Sequence, residues 1–386
     1  MDKKFVYADN AATTPVSAEV IEAMMPCFQQ AWGNPSSMHQ KGAEAKLLLD
    51  EARKTVAECL HCSPKEIFFT SSGSESDNWA IRGALARAKG RRHVITSKIE
   101  HHAVLHTCAA LEKEGYRVTY LDVDNEGFVR PETLRAAIDE DTALVTVMLA
   151  NNEIGTIQPI KELAEIAHAA GALMMTDAVQ AVGSIPVCPE ELGVDLLSLS
   201  GHKLHAPKGI GALYIRRGVS IGNLIEGGGQ ERRRRAGTEN VPYAVGLAKA
   251  MQIAVERLPD MSRVEALRNK LIDGLLEIPA SRLHGAKENR LPGNCNVGFD
   301  CIEGESMLLM LDMAGICAST GSACSSDSLE PSHVLLAIGV PHEKAHGSLR
   351  FSLSHENTED DVNYILQTMP SIIARLRSMS PIWHEN

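Results

Sequence analysis

Lys203 closes the tripeptide GHK directly after the apolar run DLLSLS, and Asp177 directly follows ALMMT. An amine and a carboxylate at the ends of two such runs are what carbonyl chemistry on a nitrogen heterocycle needs: the amine condenses with an aldehyde, and the carboxylate keeps a ring nitrogen protonated. A third stretch, SSGSESDN from Ser71 to Asn78, follows EIFFT and sets small hydroxyl residues and Gly73 ahead of a helical pattern. Free N–H groups at a helix start, reached closely past a glycine, cradle phosphate. The same letters also spell a serine N-cap with Glu75 in a capping box. Read singly, Lys203 or Asp177 is an ordinary surface charge. Taken together, a phosphate cradle at Ser74, an amine at Lys203 and a carboxylate at Asp177 are the three requirements of pyridoxal phosphate.

Other reactive residues fall at comparable places. His101, in SKIEHHAVL, follows HVITS; an imidazole there can stack on a cofactor ring and shuttle protons, or simply cap a helix. Cys324, in STGSACSSDS, has only small and polar neighbours, which favour an exposed loop over the burial usual for a free cysteine. A thiol there is available for chemistry as a thiolate. The run EGGGQERRRRAGTEN places four arginines before Thr238. It reads either as a solvated loop or as a mobile arm carrying donors to a phosphate, across a subunit boundary. Arg350, in GSLRFSLS, is suited to a bidentate grip on a carboxylate or to a structural ion pair. Cys59 and Cys62 have C-x-x-C spacing but no second pair, and they end a helical run, so they read as a helix end rather than a metal or redox site. Cys27, Cys108, Cys188, Cys295, Cys301 and Cys317 read as scattered packing residues.

The elements that must position these groups alternate. Short runs, EIFFT, HVITS, RVTYLDV, ALVTVMLA, ALMMTDA, DLLSLS and GALYIRR, are separated by periodic stretches such as DNWAIRGALARAKG and IKELAEIAHAAG. That pattern predicts an α/β fold with a mostly parallel sheet covered on both faces. In such a sheet, ligands bind beyond the carboxyl ends of the strands, where Lys203, Asp177, Gly73 and His101 all fall. After about residue 255 the texture changes to long helices, SRVEALRNKLIDGLLEI and DVNYILQTMPSIIARLRSM, with short strands between. We expect a large domain over 15–255 and a smaller α+β domain built from 1–14 and 256–386.

A formal charge of −11 argues against general attraction to nucleic acid or acidic lipid. No apolar run reaches the roughly 18 residues of a membrane span, and MDKKFVYADN carries no long apolar stretch of a secretory signal. With nine cysteines, an odd count, a reducing cytoplasmic setting is expected, with no membrane and no nucleic-acid partner.

The motifs YADNAATTPV, GNPSSMH, TSSGSESDN, EHHAV, NNEIG, TDAVQAVG, SLSGHKLHAPKGIGALY, RRAGTEN, GSACSS, SLEPSHVL and RFSLS occur in order along nearly the whole chain. In these the sequence resembles the cysteine desulfurases of the NifS/IscS type, class-V aminotransferase-like enzymes of fold-type I that use pyridoxal 5′-phosphate. The resemblance implies a large domain with a seven-stranded sheet. It gives Lys203 the Schiff base, places His101 over the ring, and sets Asp177 and Gln180 on its nitrogen and phenolic oxygen. It places Asn152 against cofactor and substrate. Gly73, Ser74, Ser200 and His202 would hold the phosphate, with Thr238 donated by the partner of a homodimer. Arg350 and Asn34 would hold the substrate carboxylate. Cys324 would be the nucleophile, on the long loop of group I members, taking sulfur from L-cysteine as a persulfide and leaving L-alanine. The sulfur would go to an iron–sulfur scaffold or another acceptor protein. No metal site is implied, except that Cys324 could transiently ligate an iron–sulfur cluster through its persulfide. Rival readings are a selenocysteine lyase or an aminotransferase on the same fold, the latter having no need of a loop cysteine, and a non-catalytic iron–sulfur scaffold.

Overall fold

Seven of the short apolar runs become the strands of one sheet in a computed structural model that describes residues 4–320 and 330–384. After β1 (Val6–Tyr7) these are β2 (Ile67–Thr70), β3 (His93–Ser97), β4 (Arg117–Leu121), β5 (Thr142–Thr146), β6 (Leu173–Asp177), β7 (Leu196–Ser200) and β8 (Gly211–Ile215). Their order is β2-β8-β7-β6-β5-β3-β4. β3 to β7 pair in parallel, and β8 is antiparallel to both β2 and β7. β2 therefore points the same way as β7, and its carboxyl end joins the same edge of the sheet. Five of the seven are buried along their whole length, which is why they read as near-continuous apolar runs.

Successive side chains of a strand face opposite ways, and here they feed two separate layers. Ile95, Val145, Met174, Leu197 and Ala212 join one hydrophobic cluster. Their chain neighbours Val94, Leu144, Met175, Leu196 and Leu213 join another. The first layer is covered by α1 (Ala18–Gln29), α2 (Gln40–Cys59) and the helix Val241–Glu256. The second is covered by α3 (Gly73–Leu85) and α4 (His102–Lys113).

The rest of the chain forms its own cluster. β10 (Asn294–Phe299) pairs antiparallel with β9 (Ser281–Leu283) and β12 (Ser348–Ser352), and β1 pairs in parallel with β11 (Ile316–Cys317). Phe299, Leu349 and Phe351 pack there with Val6 and Ala8 and with the helices Met261–Leu276 and Glu359–Met379.

Much of the arginine run is held by its own chain, although Arg232 and Arg233 stay exposed to solvent. Glu231, Arg232 and Arg233 all take positive φ, 44°, 57° and 65°. That left-handed backbone is costly for residues with a Cβ. It delivers the Glu231 carboxylate to Arg53 on α2, where two bonds of 2.7 Å form in a buried setting, and Phe69 N–H donates to the same carboxylate at 3.1 Å. Arg232 lies over the Phe68 ring at 4.0 Å and donates to the Ile67 carbonyl; Arg234 donates to the Ile221 carbonyl. Among the described residues all eight cysteines are free. Cys59 ends α2, and burial pushes the thiols of Cys59 and Cys62 up to about 11 and about 12, which suits packing and not redox chemistry.

Removing one partner of a buried, hydrogen-bonded ion pair strands the other, at a cost of about 3–5 kcal/mol. Arg53→Met should destabilise the protein by that amount in urea unfolding, and the double substitution Arg53→Met, Glu231→Leu should recover much of the loss.

Candidate active site

Three strands end at a single cavity, and each hands it one group. β7 runs into a single tight turn, Gly201–Lys203, that carries the Lys203 amine inward. Its Nζ donates to the backbone carbonyls of Ala11 and Ala12 at 2.5 and 2.7 Å. β6 ends on Asp177, which is buried and accepts the Val179 N–H at 2.8 Å. β2 runs through Ser71 and Ser72 into α3, whose first residue is Gly73. A Cβ on Gly73 would lie 2.7 Å from Val179 Cγ2 and 3.3 Å from Ser200 Cβ, so only glycine brings this backbone so close.

Both readings of SSGSESDN are realised, by different residues. Ser72 Oγ accepts the Glu75 N–H at 3.1 Å as a true N-cap, and Glu75 turns back to the Ser71 N–H. Gly73 and Ser74 meanwhile line the cavity. Glu75 is also gripped by Arg235, Nε to Oε1 at 2.8 Å and Nη2 to Oε2 at 3.0 Å. The last arginine of the run therefore braces the cradle from behind.

The cavity measures about 350 Å3 and is lined by every residue expected to hold the cofactor except Thr238: Gly73, Ser74, His101, Asn152, Asp177, Gln180, Ser200, His202 and Lys203. Gln180 donates to the Ala11 carbonyl at 3.0 Å, and the His202 Nδ1 lies 3.2 Å from Thr13 Oγ1. His101 caps α4, its Nδ1 accepting the Ala103 N–H at 3.1 Å. Burial, and then the Lys203 charge, hold the rings of His101 and His202 below the usual imidazole range, His202 at about 4. Both are neutral near pH 7 and fit to accept a proton or a hydrogen bond.

Arg350 lines the cavity from β12 and is only 2% exposed. It donates to the Asn152 carbonyl at 3.0 Å and to Asp9 Oδ1 at 3.1 Å, while its Nε is buried with no hydrogen-bond partner. A guanidinium at the wall of a cavity is suited to grip a bound carboxylate. Two expected residues lie elsewhere. Asn34 sits on an exposed loop and accepts the Ser36 N–H. Thr238 lines a separate depression with Ser71 and Arg235. Cys324 lies outside the described residues, but its flanks do not: Ser319 exchanges two backbone bonds with Arg350, and His333 lines the cavity.

Sequence reasoning missed the buried acids around this site. Glu100 accepts the Met148 N–H at 3.0 Å and the Ser97 hydroxyl at 2.5 Å, and burial pushes it up to about 8. Glu153 accepts the Ser332 hydroxyl and is pushed by burial to about 7. Asp77, on α3, accepts Ser198 Oγ and is raised well above the carboxylate range by burial and by Asp177. The signal available was an acid in or beside a strand-end motif, EHH and NNEIG.

The donor set fits pyridoxal phosphate on two observations. Val179 and Ser200 leave no room for a side chain at Gly73, which keeps the backbone at the start of α3 bare where it lines the cavity. Burial pushes Asp177 up to about 6, opposed by the Val179 N–H and Lys203, so a cation beside it, such as a protonated pyridine nitrogen, would restore the carboxylate.

The sign of that shift gives a test on the protein free of cofactor. Below about pH 4 Asp177 is protonated in folded and unfolded chains alike. Between pH 4 and 6 only the unfolded chain releases its proton, so the fold loses stability as pH rises, by about 3 kcal/mol over about two pH units. Asp177→Asn should lose about that much less than the unsubstituted protein over this range, in urea unfolding at stepped pH.

Comparison with known proteins agrees with this geometry. The aminotransferase class-V family model matches residues 6–365. A cysteine desulfurase IscS of Methanosarcina thermophila is 56% identical over 99% of this chain and 95% of its own length. One of Clostridium botulinum is 53% identical over 99% and 98%. A solved NifS-like protein superposes with a TM-score of 0.91 at 44% identity, covering 97% of this chain and all of its own. With matches running almost end to end and the same sheet edge carrying lysine, aspartate and glycine, the chain belongs to the class-V aminotransferase family, among its cysteine desulfurases of the NifS/IscS type.

Proposed function

We propose that this chain converts L-cysteine to L-alanine and carries the sulfur away as a persulfide on Cys324. The observation that carries the reading is the placement of Arg350. One residue both lines the Lys203 cavity and pairs with Ser319, five residues before Cys324.

Pyridoxal phosphate, when bound, supplies an aldehyde that condenses with amines and a ring that accepts the electrons left at a deprotonated α-carbon. The chain's own residues do the rest. Gly73, Ser74, Ser200 and His202 hold the phosphate, Asp177 the ring nitrogen, Gln180 the phenolic oxygen, and His101 covers the ring face. Lys203 holds the cofactor by its amine and, once displaced, takes the α-proton of the substrate. Arg350 and Asn152 orient the substrate. The Cys324 thiolate then attacks the substrate sulfur: an S–S bond forms, the C–S bond breaks, and its electron pair passes to the three-carbon fragment, which takes up protons and leaves as alanine. His101, neutral through burial, is placed to receive and return such protons.

Two further parts of the reading concern assembly. The domain division at 15–255 is supported by the separate cluster that Val6 and Ala8 share with Phe299 and Phe351. The active unit is a homodimer in a reducing cytoplasm, delivering sulfur to an iron–sulfur scaffold or similar acceptor. Ile21, Met25, Phe28 and Trp32 recur at helical spacing along and just past α1 and are all exposed, an apolar stripe suited to a second copy. Thr238 and Asn34, outside the cavity of their own chain, then reach the partner's.

Purified protein with L-cysteine should release alanine without any keto acid and carry a persulfide on Cys324. Lys203→Ala should abolish both, and Cys324→Ser should keep cofactor absorbance but yield no persulfide. Alanine formation requiring a keto acid would make the protein an aminotransferase. For the shared site, a subunit carrying Lys203→Ala is mixed with one carrying Thr238→Ala. If Thr238 acts across the interface, exchanged dimers contain one intact site and activity rises above either parent; no recovery after proven exchange would place Thr238 in its own subunit's site.

A further inference from the structure

Four histidines gather on the rim of the cavity, and the chemistry above uses only one. His101 caps α4, His102 opens it and His106 lies one turn on. His333 starts the short helix His333–Ala337, just after the Cys324 segment. The His102 ring centre lies 4.9 Å from that of His333, 5.0 Å from His106 and 6.3 Å from His101. His102 and His333 line the cavity, whereas His106 is exposed to solvent. The cluster thus runs from cavity to surface. Among the described residues, no group of three or more histidine, cysteine or acidic side chains is arranged to hold a metal ion.

The ring nitrogens are not equivalent. His101 Nδ1 accepts the Ala103 N–H. His333 Nε2 lies 3.0 Å from the Glu100 carbonyl, so it donates, which leaves its Nδ1 as acceptor when the ring is neutral. His102 Nδ1 is buried without a hydrogen-bond partner. A buried ring nitrogen left unpaired is unusual and needs a reason. Burial, then the neighbouring rings, hold His102 and His333 below the ordinary imidazole range. The titratable groups facing His102 are His106 and His101 on its own helix and His333 on the helix packed against it. The Glu100 carboxyl is turned to Ser97 and Met148, and the Lys203 charge acts on His101. Positive charges so close repel, so a proton on one ring keeps the next ring neutral and ready to receive it.

The conversion of cysteine and a thiol to alanine and a persulfide neither consumes nor releases protons overall. On the way, however, one proton leaves the α-carbon and another leaves the attacking thiol, and both must return to the three-carbon product. We propose that His102 is the relay for these protons, exchanging them between the cavity and solvent through His106. Centre distances near 5 Å leave room for a proton to pass by way of one bridging water. The relay rests on the functional reading above, and its test separates the two.

In the holoenzyme with L-cysteine, His102→Gln should lower kcat about ten- to a hundredfold, the lower reach of acid–base effects. KM for cysteine and cofactor absorbance should stay unchanged, and added imidazole should restore part of the rate. A second readout needs no turnover. The His102 ring signal, followed by NMR, should titrate at higher pH in His106→Gln, because a repelling neighbour is gone. An unchanged kcat, a loss that imidazole does not restore, or a ring titration indifferent to His106→Gln would each overturn the relay. Failure of the unsubstituted enzyme to make alanine from cysteine would instead overturn the functional reading, and would leave the ring titration to stand by itself.

Discussion

The whole site hangs on one geometric constraint: strands that run the same way must end on the same edge. β3, β5, β6 and β7 are parallel, and β2 is aligned with them through the antiparallel β8 between. Residues at five sheet ends, from Thr70 to Ser200, are thereby brought to one crevice without any long loop. The spatial order reverses at β3, which has β4 on one side and β5 on the other, and ligands settle at such a switch point. Each group then needs only a short reach. Asp177 is itself the last residue of its strand, Lys203 is three residues past β7, and His101 is four past β3.

That convergence creates an electrostatic problem, because it buries Asp77, Asp177, Glu100 and Glu153 together. Burial favours their neutral forms, and Asp177 raises Asp77 further. Opposing them are two cations distant in sequence, Lys203 and Arg350. Each is fixed by the N-terminal segment: Lys203 by the carbonyls of Ala11 and Ala12, Arg350 by Asp9. The acids are shared out among hydroxyl and N–H donors, Ser97, Ser198, Ser332 and Val179. A protonated heterocycle fits this surplus of buried carboxyl groups better than a neutral ligand would.

Much of this was legible in the sequence because local rules govern it. The seven runs were visible as strands since a strand buried on both faces must be apolar at every position. Lys203, Asp177 and Gly73 were visible since they interrupt that pattern at its end. What stayed hidden depends on partners distant in sequence. The arginine run looked like a solvated loop because its acidic partner, Glu231, lies within the run while the arginine it pairs with, Arg53, is 178 residues away. Glu100 and Glu153 looked like ordinary acids, since only the folded chain shows that no solvent reaches them. Asn34 and Thr238 stand outside the cavity, and no reading of local pattern shows where the fold carries a loop residue.

The route of the N-terminal segment has a consequence for how the molecule is made. Val6 pairs with Ile316, the Ala8 carbonyl accepts the N–H of Ser352, and Asn10 N–H donates to the Ser352 carbonyl. Residues 6 to 10 thus wait until residues 316 and 352 have been made before they find their strand partners. Contacts between such distant residues are slow to form, because loop closure must come first. During synthesis the large sheet can assemble as a unit, as domains generally do, while the segment bearing Ala11 and Ala12 still lacks its anchor. The lysine cavity is therefore the last part of the molecule to close, and a nascent or truncated chain remains a scaffold without a reactive centre.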